Sequence, residues 1–249
     1  MATAHVQLDK ISKRFRLNGK VFSVLEDISL EANQGETISI LGRSGSGKTT
    51  LLNIIAGLEK PDAGHVNVEG NIGYVPQKDL LLHWRTLLKN VLLPIEIGRA
   101  VTSADVVRAT KLLERMGLAD FIQSYPKNIS GGMRQKVSLA RALVQNPDVI
   151  LFDEPFSAID FDTRLRLGKE IHSQIKNEGK VGIFVTHNIE EAIAMGNKVI
   201  LLSGGKPARI VYQAEINIGE EFRDPVNIRK SEIFQRHFDV IWQLLSKEA

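Results

Sequence analysis

The stretch Gly42-Arg43-Ser44-Gly45-Ser46-Gly47-Lys48-Thr49 fits the pattern G-x-x-x-x-G-K-[ST] of a phosphate-binding loop. An apolar run typical of a buried strand precedes it at residues 37–41, and a helical segment follows it at residues 50–56. The glycines allow backbone N–H groups to wrap around phosphates at a helix N-terminus, where the helix dipole favours anions. Lys48 can reach the terminal phosphates, and the Thr49 hydroxyl can ligate Mg²⁺. The sequence therefore predicts a strand, loop and helix that bind a phosphate chain.

The composition narrows the class of protein. The 249 residues are 43% hydrophobic and 24% charged, the ordinary balance of a globular chain with a sizeable core. Because there is no cysteine, disulfides, thiolate zinc sites and iron–sulfur clusters are excluded. No signal-like stretch opens the chain and no apolar run approaches the roughly 18 residues that span a bilayer, so we expect a soluble protein or one held at a membrane by partners. The net charge of +3 comes from scattered residues, which favours a solvated surface over a nucleic-acid patch.

The hydrophobic pattern changes along the chain. Apolar and polar residues alternate over residues 5–35 and 65–69, which predicts an antiparallel sheet with one solvated face. From Asp148 onward, strand-like and helix-like runs alternate, which predicts parallel strands covered by helices. Residues 87–145 between them have mostly helical spacing, with Ser103 as a candidate N-cap. We therefore predict an α/β fold with a mixed or parallel sheet core, an antiparallel β subdomain and an inserted helical subdomain.

Two acidic residues and a histidine follow strand-like runs. Asp153 and Glu154 end the apolar run 149–152, where they would meet the phosphate loop of a neighbouring parallel strand at the carboxyl edge of the sheet. Asp153 can hold Mg²⁺, and Glu154 can polarise a water for attack on a γ-phosphate. His187 follows the run 181–185, and its imidazole could hydrogen-bond a γ-phosphate or a catalytic carboxylate.

A second glycine-rich segment precedes another predicted helix. Ser130 is a candidate N-cap, and Gly131 and Gly132 leave backbone N–H groups open. Such a helix terminus suits an anion, yet the chain itself offers it no evident phosphate.

Together these segments resemble the ATPase subunits of ABC transporters, because separate motifs occur in that family's order over residues 5 to about 205. The phosphate-binding loop is similar to Walker A, and Asp153 and Glu154 are similar to the end of Walker B with its catalytic glutamate. Gln77 matches the Q-loop, and His187 matches the switch histidine. The signature motif and the D-loop match at Ile129-Ser130-Gly131-Gly132-Met133 and Ser157-Ala158-Ile159-Asp160.

The resemblance implies that ATP and Mg²⁺ are the cofactors. The residues that it places in catalysis are Glu154, His187, Lys48 and Gln77. The residues that it places at the metal are Thr49, Gln77 and Asp153. The residues that it places on the nucleotide are Phe15, Gly42, Arg43, Ser44, Gly45, Ser46, Gly47, Lys48, Thr49, Thr50, Ser130, Gly131, Gly132 and Asp160. Because no catalytic position of the family's pattern is lost, we expect an active ATPase.

Two details follow from the same resemblance. Phe15 stands where the family places an aromatic ring to stack on adenine, with Phe22 as the alternative. Two family subunits face each other head to tail, so the resemblance implies a homodimer formed on ATP binding. Ser130 and Gly132 of one chain would then contact the γ-phosphate bound by the other.

A finer resemblance concerns the transport partner. Residues 77–86, with Asn90-Val91 and Leu93-Pro94, are similar to the nitrate/sulfonate/taurine importer subfamily. This implies a separate transmembrane permease, a solute-binding protein as an indirect partner, and a peripheral position on the cytoplasmic face of the inner membrane, held only through the permease. The residues 80–82 and Trp84 would form the groove for a permease helix or pack inside the helical subdomain.

Two other classes stay open. A separate-subunit exporter would carry the same motifs. Nucleic-acid-associated members insert coiled coils or zinc modules into the cassette, or carry two cassettes. Here Lys48 and Ser130 are only 82 positions apart and cysteine is absent, so we expect no nucleic-acid partner.

The resemblance and the patterns give one expected domain over residues 1–249. Residues 5–76 and 147–220 would form the ATP-binding core with its β subdomain. Residues 77–146 would form the helical signature subdomain. Residues 221–249 would form a helical tail, whose apolar spacing predicts an amphipathic helix packed on the body.

Overall fold

The computed structural model of the chain describes residues 5–156, 159, 161–219 and 227–247. The expected D-loop residues Ser157, Ala158 and Asp160 lie outside the described residues. The strands are β1 His5–Leu17, β2 Lys20–Ala32, β3 Thr37–Leu41, β4 Ala63–Glu69, β5 Ile72–Val75, β6 Val149–Asp153, β7 Val181–Thr186, β8 Lys198–Leu202 and β9 Ile210–Glu215. The helices are α1 Lys48–Ile55, α2 Leu87–Gly98, α3 Ser103–Arg115, α4 Gly131–Leu143, α5 Phe161–Asn177, α6 Ile189–Met195 and α7 Glu232–Lys247.

The first strands form a small antiparallel sheet in the order β2-β1-β4. Its hairpin turns at Asn18 and Gly19, which both have positive φ, at 51° and 75°. Two such residues in succession match the twist of paired strands, which is why an Asn-Gly pair favours a tight hairpin. The hairpin presents Phe15 opposite Phe22 across the two strands.

The second sheet has six strands in the order β5-β6-β7-β3-β8-β9. The strands from β5 to β8 pair in parallel, and β9 pairs antiparallel to β8. The predicted mixed α/β core with a separate antiparallel sheet is thus confirmed. One expected detail is wrong: the strand carrying Asp153 is not adjacent to the strand before the phosphate loop, because β7 lies between them. The short β5 and the final β9 were not predicted.

Both faces of the parallel strands are buried, because alternate side chains enter different cores. On β6, Leu151 packs with α1 and the antiparallel sheet. Phe152 points into the opposite core with the helical segment, and its ring centroid lies 4.6 Å from that of Phe184 on β7. Burying one such side chain stabilises the fold by about 1.5–3 kcal/mol, so this pair anchors the sheet to the helices above it.

The helical segment between β5 and β6 contains α2, α3 and α4. The N-cap of α3 is Thr102 and not Ser103, which is already the first helical residue. Thr102 accepts a hydrogen bond from the backbone N–H of Asp105, and the Asp105 carboxyl accepts one from the backbone N–H of Thr102. Arg99 donates to the same carboxyl at 2.6 Å and holds the pKa of Asp105 far below its usual range. The reciprocal bonds outcompete a cap one residue later.

The C-terminal helix α7 packs on the body of the protein, as its amphipathic spacing predicted, and one element that it contacts is α6. Phe234 and Ile241 are buried against residues of α6 and β8. On the outer side, the rings of Phe238 and Trp242 stack with centroids 6.1 Å apart. Within the described parts of the chain, no helix has both the length and the apolar character needed to cross a bilayer.

Asn90 on α2 provides a test of how the helical segment is held. Its side-chain oxygen accepts from the backbone N–H of Leu82 at 2.8 Å, and its amide donates to the carbonyls of Leu82, Arg85 and Thr86. Because the side chain is fully buried, Asn90→Ala leaves these groups without their partner and should lower the free energy of unfolding by about 2–3 kcal/mol. Urea denaturation measures the change. The exposed neighbour Lys89→Ala is the control, and equal midpoints for the two variants would contradict the prediction.

Candidate functional site

The phosphate-binding loop turns directly from β3 into α1. Gly47 is the N-cap of α1 and has a left-handed φ of 86°. A Cβ at this position would also come within 2.8 Å of the side chain of Leu25 on β2. Only glycine satisfies both constraints, so the loop can curl over the N-terminus of α1 with its N–H groups pointing inward.

Lys48 is buried beneath the loop. Its ammonium donates to the carbonyl oxygens of Gly42 at 2.7 Å and Arg43 at 2.9 Å. Burial lowers the pKa of Lys48, and the nearby carboxylates of Glu154 and Asp153 oppose that shift. The cation is therefore held by the loop itself, at the position from which it can reach phosphate oxygens.

Thr49 and Asp153 meet across the sheet edge. The Thr49 hydroxyl donates to the Asp153 carboxyl at 3.0 Å, from the first turn of α1 to the end of β6. Burial raises the pKa of Asp153, which lies at the bottom of the site with 4% of its surface exposed. A hydroxyl and a buried carboxylate are hard-oxygen donors, the kind that Mg²⁺ takes together with phosphate oxygens. The pair therefore fits the expected metal.

Glu154 is held from two sides. Its backbone has a positive φ of 47°, and its N–H donates to the Val185 carbonyl of β7 at 3.0 Å. Gln77 donates to one carboxylate oxygen at 3.1 Å, and Nδ1 of His187 lies 3.1 Å from the other. The glutamate side chain is mostly buried whereas the histidine side chain is 65% exposed, so the imidazole covers the carboxylate from the solvent side. The structure thus brings three predicted catalytic residues into direct contact.

Lys48, Thr49, Gln77 and Glu154 line one cleft of about 390 Å³, whereas Asp153 and His187 lie outside its lining. Its lining residues are Phe15, Val24, Ser44, Gly45, Gly47, Lys48, Thr49, Thr50, Gln77, Glu154 and Lys206. Of the two aromatic candidates, Phe15 is the one that lines the cleft; its ring is partly exposed and lies under the Lys13 ammonium at 5.0 Å. The remaining predicted loop residues Gly42 and Ser46 are buried in the loop.

Sequence reasoning missed Val24 and Lys206 in this cleft. The loop after β8 is attached to β2, because the Ala208 N–H donates to the Val24 carbonyl and the Glu26 N–H donates to the Ala208 carbonyl. This attachment carries Lys206 to the cleft. Because the contact joins segments about 180 residues apart, no local sequence pattern could have predicted it.

Arg43 and His187 line a second cavity, of about 360 Å³, against the C-terminal helix. Trp242 and Leu245 of α7 form its other wall. The tail helix therefore borders the same loop that surrounds Lys48. The amphipathic spacing of this helix predicted that it packs on the body but did not indicate which elements it would contact.

The second glycine-rich segment lies at the start of α4, apart from the cleft lining. Ser130 caps this helix by accepting from the Met133 N–H at 3.2 Å, as predicted. Ser130 and Gly131 are exposed, and Gly132 is half-buried. The helix N-terminus is thus accessible from outside the chain, as an intermolecular contact would require.

Comparison with known proteins decides the family. A family model described as ABC transporter matches residues 25–157, which is more than half of the chain. The chain belongs to the ABC transporter family.

Relatives of this ABC ATPase align along most of their lengths. An uncharacterized ABC transporter ATP-binding protein, YtlC of Bacillus subtilis, is 42% identical and covers 90% of this chain and 89% of its own. The taurine import ATP-binding protein TauB of Pseudomonas aeruginosa is 35% identical over 89% of this chain and 87% of its own. A solved dimeric structure of the ATP-binding cassette MJ0796, in a post-hydrolysis state bound to ADP and Pi, superposes with a TM-score of 0.78 at 31% identity. It covers 86% of this chain and 100% of its own.

These relatives and the family match identify the protein as the ATP-binding subunit of an ABC transporter, an enzyme that hydrolyses ATP. The resemblance read from the motifs is therefore confirmed. The roles of individual residues remain predictions, and the cleft supplies the geometry on which to test them.

Phe15 and Phe22 form a matched pair for testing adenine stacking in this ABC ATPase. Both are exposed aromatic residues of one hairpin and face each other across its strands. Because aromatic stacking on a base contributes about 1–3 kcal/mol, Phe15→Ala should raise the dissociation constant for ATP by about 5- to 150-fold. Phe22→Ala should leave it within about twofold. Equilibrium binding of a fluorescent ATP analogue gives both values, and a larger loss with Phe22→Ala would reverse the assignment.

Proposed function

We propose that this chain is the ATP-hydrolysing subunit of an importer that takes up a small solute of the nitrate, sulfonate or taurine class through a separate permease. The observation that carries the hydrolytic part is the arrangement of Glu154, whose two oxygens are engaged by Gln77 and His187 beside the phosphate loop. The import direction is supported by relatives such as the taurine import protein TauB. The position follows: on the cytoplasmic face of the membrane, attached through the permease.

In the proposed mechanism, Lys48 moves from the loop carbonyls to the β- and γ-phosphates of ATP. Thr49 and Asp153 would hold Mg²⁺, which supplies charge neutralisation on the phosphate oxygens. Glu154 then orients and polarises the attacking water, and His187 positions that carboxylate or the γ-phosphate. Gln77 connects the same carboxylate to the loop after β5. Through this contact, the presence or loss of the γ-phosphate would change the position of that loop. Phosphoryl transfer needs this positioning and charge stabilisation rather than a covalent intermediate.

We further propose that ATP joins two copies of the chain. Ser130 and the glycines after it are accessible at the N-terminus of α4, where backbone N–H groups and the helix dipole suit a γ-phosphate. That phosphate would be bound by the partner copy. The dimeric form of the cassette MJ0796 supports this arrangement. Hydrolysis removes the contact between signature and γ-phosphate, so the dimer opens.

A surface for the permease lies beside the Q-loop. Leu80 is 63% exposed and Trp84 is 74% exposed, whereas Leu81 between them is only 4% exposed and belongs to the helical core. Leu81 therefore packs inside the helical subdomain, as one of the two alternatives predicted, and the permease groove at Leu80 and Trp84 stays a prediction. Large exposed apolar side chains next to Gln77 support a docking groove for an amphipathic permease helix.

Glu154→Gln tests the catalytic assignment. Because the amide keeps the shape of the carboxylate but loses its basicity, ATP hydrolysis should fall by about 10²- to 10⁴-fold while ATP binding is retained. Size-exclusion chromatography with Mg-ATP should show a trapped dimer. The exposed Glu178→Gln serves as the control, and Lys48→Ala should instead lose nucleotide binding itself. Normal turnover in Glu154→Gln would sink the proposed role.

Recovery of membrane partners tests the transport assignment. The tagged Glu154→Gln variant is incubated with Mg-ATP and detergent-solubilised source membranes. It should recover a multi-helix permease together with a linked solute-binding protein. Adding Trp84→Ala should reduce that recovery at least tenfold. Ile97→Ala, which removes another exposed side chain of the same helical segment, should not. A permease without a binding protein would favour export, and DNA-repair or ribosomal partners without a membrane protein would overturn transport.

A further inference from the structure

The loop between β8 and β9 brings a lysine into the cleft beside the phosphate loop. Lys206 is exposed, and it lines this cleft together with Phe15, Lys48 and Glu154. None of the motifs that predicted the site contains this residue. Its position follows from the way in which its loop is attached to the antiparallel sheet.

Hydrogen bonds hold this loop both at its base and at β2. At the base, the Ser203 N–H donates to the Arg209 carbonyl at 2.9 Å, and the Arg209 N–H donates to the Ser203 hydroxyl at 3.0 Å. The buried Ala208 forms a bridge with Leu25, through bonds of 2.9 and 3.0 Å to the two neighbours of that residue on β2. The backbone beside Lys206 is therefore held in place before any ligand binds, so a contact from this residue costs little additional ordering of the loop.

The attachment to β2 indicates which part of a nucleotide Lys206 would meet. Val24, whose carbonyl accepts from the loop, also lines the cleft. Its Cγ1 lies 3.0 Å from the place of a Cβ at Gly47, and Val24 is two residues from the cross-strand partner of Phe15. Val24 thus lies between the ring and the phosphate loop. A nucleotide stacked on Phe15, with its terminal phosphates at Lys48, would carry its α-phosphate past this point.

The charges in the cleft leave Lys206 available for that phosphate. The carboxylates of Glu154 and Asp153 lie close enough to Lys48 to act on its charge. Lys206 is the other cation of the lining, and no hydrogen bond or ion pair joins it to another side chain in the described parts of the chain. The loop lysine and Mg²⁺ of such sites act on the β- and γ-phosphates, so the α-phosphate needs a different donor. An ammonium group suits it as a compact point charge.

We propose that Lys206 is a nucleotide-binding residue of this ABC ATPase, whose ammonium contacts the α-phosphate. The inference rests on the proposed function, since it requires that ATP binds in this cleft. Lys206 would take no part in the reaction at the γ-phosphate. Because ATP and ADP both carry the α-phosphate, the residue would stabilise the two complexes equally and hold the nucleotide before and after hydrolysis.

Lys206→Gln removes the charge and keeps a polar side chain of similar length. The dissociation constants for ADP and for a non-hydrolysable ATP analogue, measured by isothermal titration calorimetry with Mg²⁺, should rise by the same factor. We expect about 3- to 10-fold, between the values typical of exposed ion pairs and of charged hydrogen bonds. High salt should reduce this difference from the wild type. Lys206→Arg retains the charge and should stay within about twofold.

Lys20→Gln is the matched control, because Lys20 is an exposed lysine of the β1–β2 hairpin outside the cleft lining. It should bind both nucleotides as the wild type does. Wild-type affinities in Lys206→Gln, with nucleotide binding lost in Lys48→Ala, would overturn the role of Lys206 alone. Equal losses in Lys206→Gln and Lys206→Arg would also overturn it, because they would assign the effect to packing rather than to charge.

The remaining outcomes concern the phosphate and the cleft. A loss in Lys206→Gln that is confined to the ATP analogue would place the ammonium at the γ-phosphate and contradict the contact with the α-phosphate. Nucleotide binding by Lys48→Ala equal to that of the wild type would overturn the proposed use of the cleft and the inference with it. The two failures are therefore distinguishable.

Discussion

Parallel pairing of β6, β7 and β3 is the constraint on which the site depends. In a parallel sheet all carboxyl ends emerge at one edge, and here the three strands end at Asp153, Thr186 and Leu41. Leu41 pairs with Thr186, and Asp153 pairs with Val185, one residue before Thr186. The residues that follow them are Glu154, His187 and the phosphate loop. Segments more than a hundred residues apart in sequence thus become neighbours through backbone hydrogen bonds alone. The chemistry of the cleft then needs only short polar side chains at each strand end.

The charges of Lys48 and Asp153 at this edge are affected by burial and by the contacts that each side chain makes. The Lys48 ammonium donates to a loop carbonyl instead of to water. The Asp153 carboxyl accepts a hydrogen bond from the Thr49 hydroxyl. Each group is therefore only partly compensated within the chain, as the opposed pKa shifts of lysine and aspartate by burial indicate. A bound phosphate chain with its metal would complete both. Under the proposed function, this incomplete charge compensation would favour a ligand that carries negative and positive charge together.

Much of the fold and of the cleft could be predicted from local patterns, because glycine-rich loops and buried strands leave strong signals. The segments around Lys48, Glu154 and His187 were found in this way, and the α/β class followed. What local patterns could not supply were contacts between distant segments, such as Lys206 beside the cleft or Trp242 beside the phosphate loop. The order of the strands could not be predicted for the same reason. Nothing near β6 in the sequence indicates that β7 lies between β6 and β3.

Smaller misses have equally physical causes. A helix start depends on which side chain completes a reciprocal hydrogen bond, and the carboxyl of Asp105 selects Thr102 rather than Ser103. The alternation of exposed and buried leucines at residues 80 and 81 depends on a turn with positive φ at Leu80, which apolar composition does not reveal.

The contacts between α4 and the loop after β5 couple the position of that loop to the position of the helix. Arg134 pairs with the Asp79 carboxyl at 2.9 Å, Arg141 donates to the Asp79 and Leu80 carbonyls, and Gln135 reaches the Pro76 carbonyl. These four contacts join the helix α4 to a short loop and restrict the movement of one relative to the other. Because Arg134 and Gln135 lie within the first two turns of α4, a displacement of this loop would be transmitted directly to the N-terminus of the helix, where Ser130 lies.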